Sequence, residues 1–183
     1  TGSSPFVAVV GPSGWGKTHL LECVSYRLSQ EYGYRPPIIS AVDWLNGQAT
    51  VDPKLPLLVD DAQDAVLRTR SKVQLKLALE RRVRTGRPAM LAFTSDKLTR
   101  QHLSFLPNVR EWALHEIATP KADERVFVVE QMAKFEGLQI SRYIARVLAS
   151  RMRGNGNTLH GAINRLRTYG RSWITPSEVL EAC

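Results

Sequence analysis

Residues Gly11 to Thr18 read GPSGWGKT and follow a short apolar run, Pro5 to Val10. These eight residues fit the pattern G-x-x-x-x-G-K-[ST] without a mismatch, and an amphipathic helix should begin at Thr18. In this pattern glycines let the backbone turn with its N–H groups directed at phosphate oxygens, and the start of the helix adds partial positive charge. The motif therefore predicts a phosphate-binding loop between a strand and a helix.

The side chains of the loop indicate a nucleotide with Mg²⁺. Lys17 can reach the β- and γ-phosphates of ATP or ADP, and the Thr18 hydroxyl can hold the metal. A chance glycine turn is the alternative, and the order of strand, loop and helix disfavours it. The candidate nucleotide-binding residues are Gly11, Pro12, Ser13, Gly14, Trp15, Gly16, Lys17, Thr18 and His19.

A second apolar run ends in two acids. Leu55 to Val59 should form a buried strand, with Asp60 and Asp61 at its carboxyl end. Next to a phosphate loop, Asp60 would hold Mg²⁺ through water, and Asp61 would orient or polarise the attacking water. Two acids can also simply cap a strand, but the upstream loop favours the catalytic interpretation.

The next strand, Ala89 to Phe93, opens directly into Thr94, Ser95 and Asp96. Polar side chains at the tip of a strand beside the acidic strand can touch the γ-phosphate or the attacking water. This is the sensor 1 position of such sites, and Asp96 or one of its neighbours is the candidate residue.

The chain has 183 residues, of which 43% are hydrophobic, and a formal net charge of +8 at pH 7. The charge indicates a polyanionic partner, DNA in the first place, or else an ordinary solvated basic surface. Basic residues are densest in and around a predicted helix, Ser71 to Thr85, where a DNA-backbone contact and a solvated helix face both remain open. They are Arg68, Arg70, Lys72, Lys76, Arg81, Arg82, Arg84 and Arg87.

Other classes of protein are disfavoured by composition. Cys23 and Cys183 form neither a disulfide framework nor a metal set, so a reducing cytoplasm is the expected location. The chain contains no run of about 18 apolar residues, and we expect no membrane contact. The first strand begins within a few residues of Thr1, so we also expect no signal peptide. The histidines are scattered at spacings that match no metal-ligand pattern, so we expect no metal other than Mg²⁺.

Strands that alternate with helices predict an α/β fold, a parallel five-stranded sheet with helices on both faces, over residues 1–118. From Thr119 onward the pattern is helical, and residues 119–183 should form a small three-helix lid. The first helix should run from Thr18 to Gln30 and end near Gly33. The other predicted segments are strands Ile38–Ala41 and Val109–Ile117, and helices Leu98–Leu106, Ala122–Glu136, Ser141–Met152, Thr158–Tyr169 and a final helix from Thr175.

A phosphate-loop sheet followed by a three-helix lid resembles the AAA+ ATPases, and four motifs are similar to those of the DnaA family of replication initiators. They are GKTHLL, LLVDDAQ, FTSD and LHGAINRL, in that order. GKTH with LVDD also resembles helicase loaders of the DnaC and IstB type, whereas FTSD followed by EWAL and LHGAINRL is more particular to DnaA and its shortened relative Hda. The resemblance covers essentially Phe6 to Leu180.

The resemblance implies two further arginines, and at both places this sequence departs from the family. The arginine finger would lie three residues before Trp112, where this chain has Val109, although Arg110 is adjacent. The sensor 2 arginine would lie two residues before Leu159, where this chain has Asn157. The short link between the second and third strands also lacks the extra helix pair of the initiators, as in Hda.

The resemblance implies an ATP- or ADP-binding module that acts as a nucleotide-controlled switch or assembly unit in DNA replication initiation or its regulation. Hydrolysis would be slow, because finger and sensor arginines stabilise the transition state and this chain has Val109 and Asn157 at their places. It would depend on oligomer formation, because a finger arginine acts on the site of a neighbouring subunit. The expected partners are DNA and a second copy or another AAA+ subunit. The alternatives are an Hda-like adapter with weak or no hydrolysis, and a helicase loader or IstB-type DNA-associated ATPase.

Overall fold

The computed structural model describes residues 4–49, 52–66, 69–104 and 106–168. The chain divides into two compact units, residues 1–118 and 119–183. The helix predicted from Thr175 lies outside the described residues. Among the described helices, none is both long enough and apolar enough to cross a membrane.

The first unit is built on a five-stranded sheet. Its strands are β1 (Phe6–Gly11), β2 (Ile38–Ser40), β3 (Leu57–Asp60), β4 (Ala89–Thr94) and β5 (Trp112–Glu116). They are all parallel, in the order β2-β3-β4-β1-β5. The predicted α/β fold with a parallel five-stranded sheet is thus confirmed. Because parallel strands align their carboxyl ends, the ends of β1, β3 and β4 meet at one edge of the sheet.

Helices cover both faces of this sheet. They are α1 (Lys17–Tyr32), α2 (Ala41–Leu45), α3 (Gln63–Val66), α4 (Thr69–Thr85) and α5 (Arg100–Leu103). Alternate residues of β1 face opposite sides, as a strand requires. Phe6, Ala8 and Val10 join the buried cluster that contains Leu75 and Leu79 of α4. Val9 instead packs in the cluster that contains Leu21 of α1.

Three predicted segments begin two or three residues later in the structure. β3 starts at Leu57 and not at Leu55, since Pro56 has no N–H for the ladder and the Leu57 N–H is the first to reach across, to the Pro88 carbonyl (3.0 Å). The helix predicted over residues 98–106 is only the four residues of α5, which the Thr99 side chain caps. The fifth strand starts at Trp112, because Val109–Glu111 form a turn of 3₁₀ helix.

Arg82 fits neither interpretation of the basic residues of α4, a DNA-backbone contact or a solvated helix face. Its side chain is only 1% exposed, and it donates hydrogen bonds to the carbonyls of Asp52 (2.8 Å) and Ala78 (3.1 Å). Burial lowers the pKa of Arg82, although the negative charge of Asp52 opposes the shift. The spacing explains the placement, since Arg82 lies three and seven residues after the buried Leu79 and Leu75. Arg82 is therefore excluded as a surface contact for DNA.

The second unit contains three described helices, α6 (Ala122–Phe135), α7 (Arg142–Arg151) and α8 (Gly156–Thr168). Their buried residues include Val129, Leu148 and Ile163. Glu136, just after α6, accepts hydrogen bonds from His160 (2.8 Å) and Arg167 (2.6 Å) of α8. These two contacts fasten the end of α6 to α8.

Candidate functional site

The loop between β1 and α1 has the geometry of a phosphate cradle. Gly14 (φ 77°) and Gly16 (φ 84°) both adopt the left-handed conformation, which side-chain-bearing residues rarely adopt. Gly16 lies directly before α1, and its carbonyl accepts the first helical hydrogen bond, from the Leu20 N–H (2.8 Å). The first N–H groups of α1 have no partner within the helix, and they lie directly after the loop, as in helix N-termini that bind phosphate.

Gly11 has a different role from the one predicted. It is the last residue of β1 and its φ is not positive, so it does not provide the turn. A Cβ at this position would lie 2.8 Å from the Ile117 carbonyl oxygen and 2.9 Å from the Ile117 Cβ. Glycine is required here by the close approach of the chain after β5.

We expect Gly11→Ala to destabilise the fold by about 1–3 kcal/mol through overpacking against backbone. Gly16→Ala should cost about 1–2 kcal/mol because alanine would have to adopt the left-handed φ of Gly16. The space around Gly16 is open, so a steric clash adds nothing to this cost. Gly161→Ala is the matched control, since Gly161 lies within α8 and the nearest atom to an added Cβ would be 3.9 Å away. Urea unfolding midpoints measure all three. Equal midpoints for Gly11→Ala and Gly161→Ala would contradict the packing argument.

The side chain of Lys17 folds back into the phosphate loop. Its side chain is 5% exposed, and its Nζ donates a hydrogen bond to the Pro12 carbonyl (2.8 Å). Burial lowers the pKa of Lys17, and the carboxylates of Asp61 and Asp60 oppose the shift. The ammonium group is thus held in the loop beside two acids, where an anionic ligand would offset the cost of its burial.

Thr18 and Asp60 meet between the loop and the sheet. The Thr18 hydroxyl donates a 2.6 Å hydrogen bond to Oδ2 of Asp60, across 42 positions in sequence. The second oxygen of Asp60 accepts a hydrogen bond from the Asp61 N–H (3.0 Å). A hydroxyl and a carboxylate are oxygen ligands of the type Mg²⁺ prefers, so this pair fits the metal chemically.

Asp61 is held by side chains from two elements. Its Oδ1 accepts hydrogen bonds from Gln63 Nε2 (3.0 Å) and from the Thr94 hydroxyl (3.0 Å). Gln63 Oε1 in turn accepts a hydrogen bond from the Thr94 N–H (2.9 Å). The end of β4 is also joined to the loop, because the Ser95 N–H donates to the Gly11 carbonyl (3.1 Å). Hydrogen bonds thus connect the loop, β3 and β4 around one position.

Four other residues named from the sequence are exposed in the structure. Asp96 is exposed in the turn after β4, whereas Thr94 makes the contact with Asp61. His19 is exposed on α1, with its ring nitrogens 3.6 Å from Glu22 and 3.8 Å from Cys23 Sγ. Arg110 is exposed in the 3₁₀ turn before β5. In the second unit, Asn157 is exposed in the first turn of α8.

Gln63 is the residue that the sequence analysis missed. It stands two positions after Asp61, at the start of α3, and is half-buried. A signal was present, because a glutamine at the beginning of a short helix beside two acids offers both a donor and an acceptor. Its partner could not be read from the sequence, since Thr94 lies 31 positions away.

A parallel sheet with a phosphate loop after β1 and acids after β3 is typical of P-loop nucleotide-binding proteins. Among solved structures, the fold is similar to domain III of the replication initiation protein DnaA from Thermotoga maritima, with a TM-score of 0.78 and 19% identity over 96% of this chain and 82% of that one. It is also similar to a replication initiator DnaA bound to AMPPCP and single-stranded DNA, with a TM-score of 0.71 and 20% identity over 92% of this chain and 57% of that one.

The sequence is 29% identical over 178 residues to the chromosomal replication initiator protein DnaA 2 of Chlamydia pneumoniae, covering 88% of this chain and 39% of that protein. The resemblance to the AAA+ domain of the DnaA family is therefore confirmed. The chain spans about two fifths of the length of the initiators it matches, 40% and 39% for the first two. No protein-family profile matches it.

Proposed function

We propose that this chain is a nucleotide-binding AAA+ module, with ATP or ADP and Mg²⁺ at the loop formed by residues 11–18. The observation that carries the proposal is the Thr18–Asp60 hydrogen bond of 2.6 Å, which brings the loop and the acidic strand together at the carboxyl edge of the sheet. The buried Lys17 ammonium supplies positive charge for the β- and γ-phosphates. Thr18 and Asp60 would hold Mg²⁺, which neutralises phosphate charge when bound.

In the cell this module would act as a nucleotide-controlled switch or assembly unit in DNA replication initiation or its regulation. The similarity to DnaA proteins over most of the chain supports this assignment. The bound nucleotide would control contact with a neighbouring subunit, either a second copy of this chain or another AAA+ protein. Asp61 would orient the attacking water, and Asp96 would act as sensor 1 near the γ-phosphate. Arg110 would serve as the arginine finger at the nucleotide site of a neighbouring subunit.

The proposal is tested by titrating the 183-residue chain with a fluorescent ATP analogue in the presence and absence of Mg²⁺. We expect saturable binding at micromolar nucleotide that weakens when Mg²⁺ is chelated. Unlabelled ATP and ADP should compete, and AMP should not, because AMP lacks the β- and γ-phosphates that Lys17 would contact. Failure to bind ATP at millimolar concentration would overturn the proposal.

Val109 and Asn157 leave an adapter with weak or no hydrolysis as the alternative within the same family. Both residues are exposed and neither carries the charge of an arginine. Turnover that rises with protein concentration and falls in Arg110→Ala would favour an oligomeric ATPase over the adapter. Turnover that stays at background at every concentration would favour the adapter.

A second candidate function, contact with single-stranded DNA, is favoured by a cavity beside α4. This open cavity has a volume of about 750 Å³, and none of its lining residues belongs to the phosphate loop. Arg70 and Arg81, both exposed, lie eleven residues apart, which is three helical turns or about 16 Å along one face of α4. Trp44 provides an aromatic wall, and basic grooves with aromatic side chains suit single-stranded nucleic acid. A helicase loader would use the same surface.

We expect Arg81→Gln to weaken binding of a fluorescent oligo(dT) and to reduce the slope of log affinity against log salt by about 1. Trp44→Ala should weaken binding by about 5- to 100-fold through lost base stacking, with little change in the salt slope. Arg142→Gln, an exposed arginine of α7, is the matched control and should change neither quantity. If Arg81→Gln and Arg142→Gln behave alike in anisotropy titrations, the α4 surface is an ordinary solvated face.

A further inference from the structure

Gln63 connects the second acid of the candidate site to the strand beside it. Its side-chain amide donates to Asp61 Oδ1 and accepts from the Thr94 N–H, while the Thr94 hydroxyl donates to the same Asp61 oxygen. The three residues form a closed triangle of hydrogen bonds, each 2.9 or 3.0 Å long. The orientation of the Asp61 carboxylate is thus fixed by donors from two different elements.

The backbone at Asp61 requires this support. Asp61 has φ 48°, the left-handed conformation, and a side-chain-bearing residue adopts it at a cost of about 1–3 kcal/mol. The following turn is anchored by the Ala62 N–H, which donates to the Ala92 carbonyl (2.9 Å) of β4. The backbone therefore places Asp61 at the end of β3, and the Gln63 amide sets the direction of its carboxylate.

We propose that Gln63 is the positioning residue that holds Asp61 for attack on the γ-phosphate, an inference that rests on the proposed function. Asp61 Oδ1 carries both hydrogen bonds, and among the described residues none donates to Oδ2. Oδ2 is therefore the oxygen left to accept a hydrogen bond from water.

The chemical step balances with these groups. The water oxygen forms a bond to the γ-phosphorus as the bond between that phosphorus and the bridging oxygen breaks, and ADP leaves with the electron pair. The water proton passes through Asp61 Oδ2 to solvent. Gln63 touches neither water nor nucleotide in this scheme, and it acts only by fixing the carboxylate.

Glutamine meets a requirement that similar side chains do not. An amide donates and accepts at once, whereas a glutamate would keep the acceptor for the Thr94 N–H but lose the donor and place a second negative charge beside Asp61. A methionine keeps the length and loses both functions. The two substitutions therefore separate the contact with Thr94 from the contact with Asp61.

The test compares steady-state ATP hydrolysis and ADP affinity in the unmodified chain, Gln63→Met and Gln63→Glu, all at one protein concentration. We expect kcat to fall by about 10- to 100-fold in both variants, the range for partners that orient a catalytic group, while KM and the ADP Kd stay within about threefold. Gln101→Met, an exposed glutamine of α5, is the matched control and should retain full kcat.

A second readout needs no turnover. Hydrogen exchange of the Thr94 amide, measured by NMR without nucleotide, should accelerate by about tenfold or more in Gln63→Met and stay slow in Gln63→Glu, because only the first loses the acceptor. Circular dichroism verifies that both variants fold.

The outcomes separate the inference from the function on which it rests. Unchanged kcat in Gln63→Met, unchanged Thr94 exchange, or a chain that binds nucleotide but never hydrolyses it would overturn the positioning role. Absence of nucleotide binding in the unmodified chain would overturn the proposed function, and the positioning role with it.

Discussion

Lys17→Ala should strongly weaken nucleotide binding at the loop and leave the nucleotide-free fold intact. The substitution removes a charge-assisted contact to phosphate that lies in a buried position, and we expect a loss of about 2–4 kcal/mol, which is roughly 30- to 1,000-fold in affinity. Thermal unfolding with and without ADP measures both parts. The ADP-induced rise in Tm should disappear in the variant, since stabilisation by a ligand depends on its affinity for the folded chain.

The Tm without nucleotide carries independent information. Burial lowers the pKa of Lys17 in the folded chain, so the charged form costs stability at neutral pH, and this cost declines as pH rises from the lowered pKa toward the ordinary pKa of lysine. We therefore expect Lys17→Ala to lose little or no stability without nucleotide at pH 7. Nucleotide affinity of the unmodified chain should fall as pH rises toward the lowered pKa of Lys17, because the phosphates need the ammonium form.

Lys54→Ala is the matched control for this experiment, because Lys54 is exposed in the segment before β3. It should retain the full ADP-induced shift in Tm. A retained shift in Lys17→Ala would place the nucleotide elsewhere than in the loop.

Arg82→Ala should be the most destabilising single change in α4. The largest of the fully buried side chains would be removed, leaving a cavity and an Asp52 carbonyl without its donor, and we expect a loss of about 3–5 kcal/mol. Arg82→Met should cost less than about 2 kcal/mol, because it fills most of the volume and removes a buried charge. Free energies of unfolding from urea titrations measure the difference.

The neighbouring arginine supplies the control. Arg81 is exposed on the same turn of α4, and Arg81→Ala should change stability by less than about 0.5 kcal/mol. Equal losses for Arg81→Ala and Arg82→Ala would mean that Arg82 is not part of the core. A drop in oligo(dT) affinity in folded Arg82→Met would also contradict its exclusion from the DNA contact.

Some parts of the fold could be predicted because their cause is local. GPSGWGKT specifies its own turn through its glycines. The apolar runs at β1, β3 and β4 are typical of strands that are buried on both faces at the centre of a parallel sheet. Gly33 marks the end of α1 for the same reason, with a left-handed φ of 65° directly after the helix. The short extent of α5 and the late start of β5 were not predicted, because a cap at Thr99 and a turn at Asn108 outweigh weak apolar periodicity.

Some residues of the candidate site could likewise be predicted from the sequence, and others could not. Lys17, Thr18, Asp60 and Asp61 could be named from residue type and order, and the structure brings Thr18 and Asp60 into contact. Arg82 and Gln63 could not, because a helical wheel shows a face but not what covers it, and the chain order does not say which strand tip lies beside which acid. Gly11 was named correctly as a glycine position but for the wrong reason, since the carbonyl that crowds it belongs to residue 117.

The sequence by itself determined the phosphate loop that organises this chain, because glycine placement, one lysine and one threonine act within eight consecutive residues. Only the tertiary structure decided that Thr94 and Gln63 orient Asp61, and that Arg82 is buried while Arg81 is exposed. The physical reason is distance along the chain. Local backbone preferences are encoded where they act, whereas hydrogen bonds between strand ends and burial against a distant segment exist only after parallel strands have aligned their carboxyl edges.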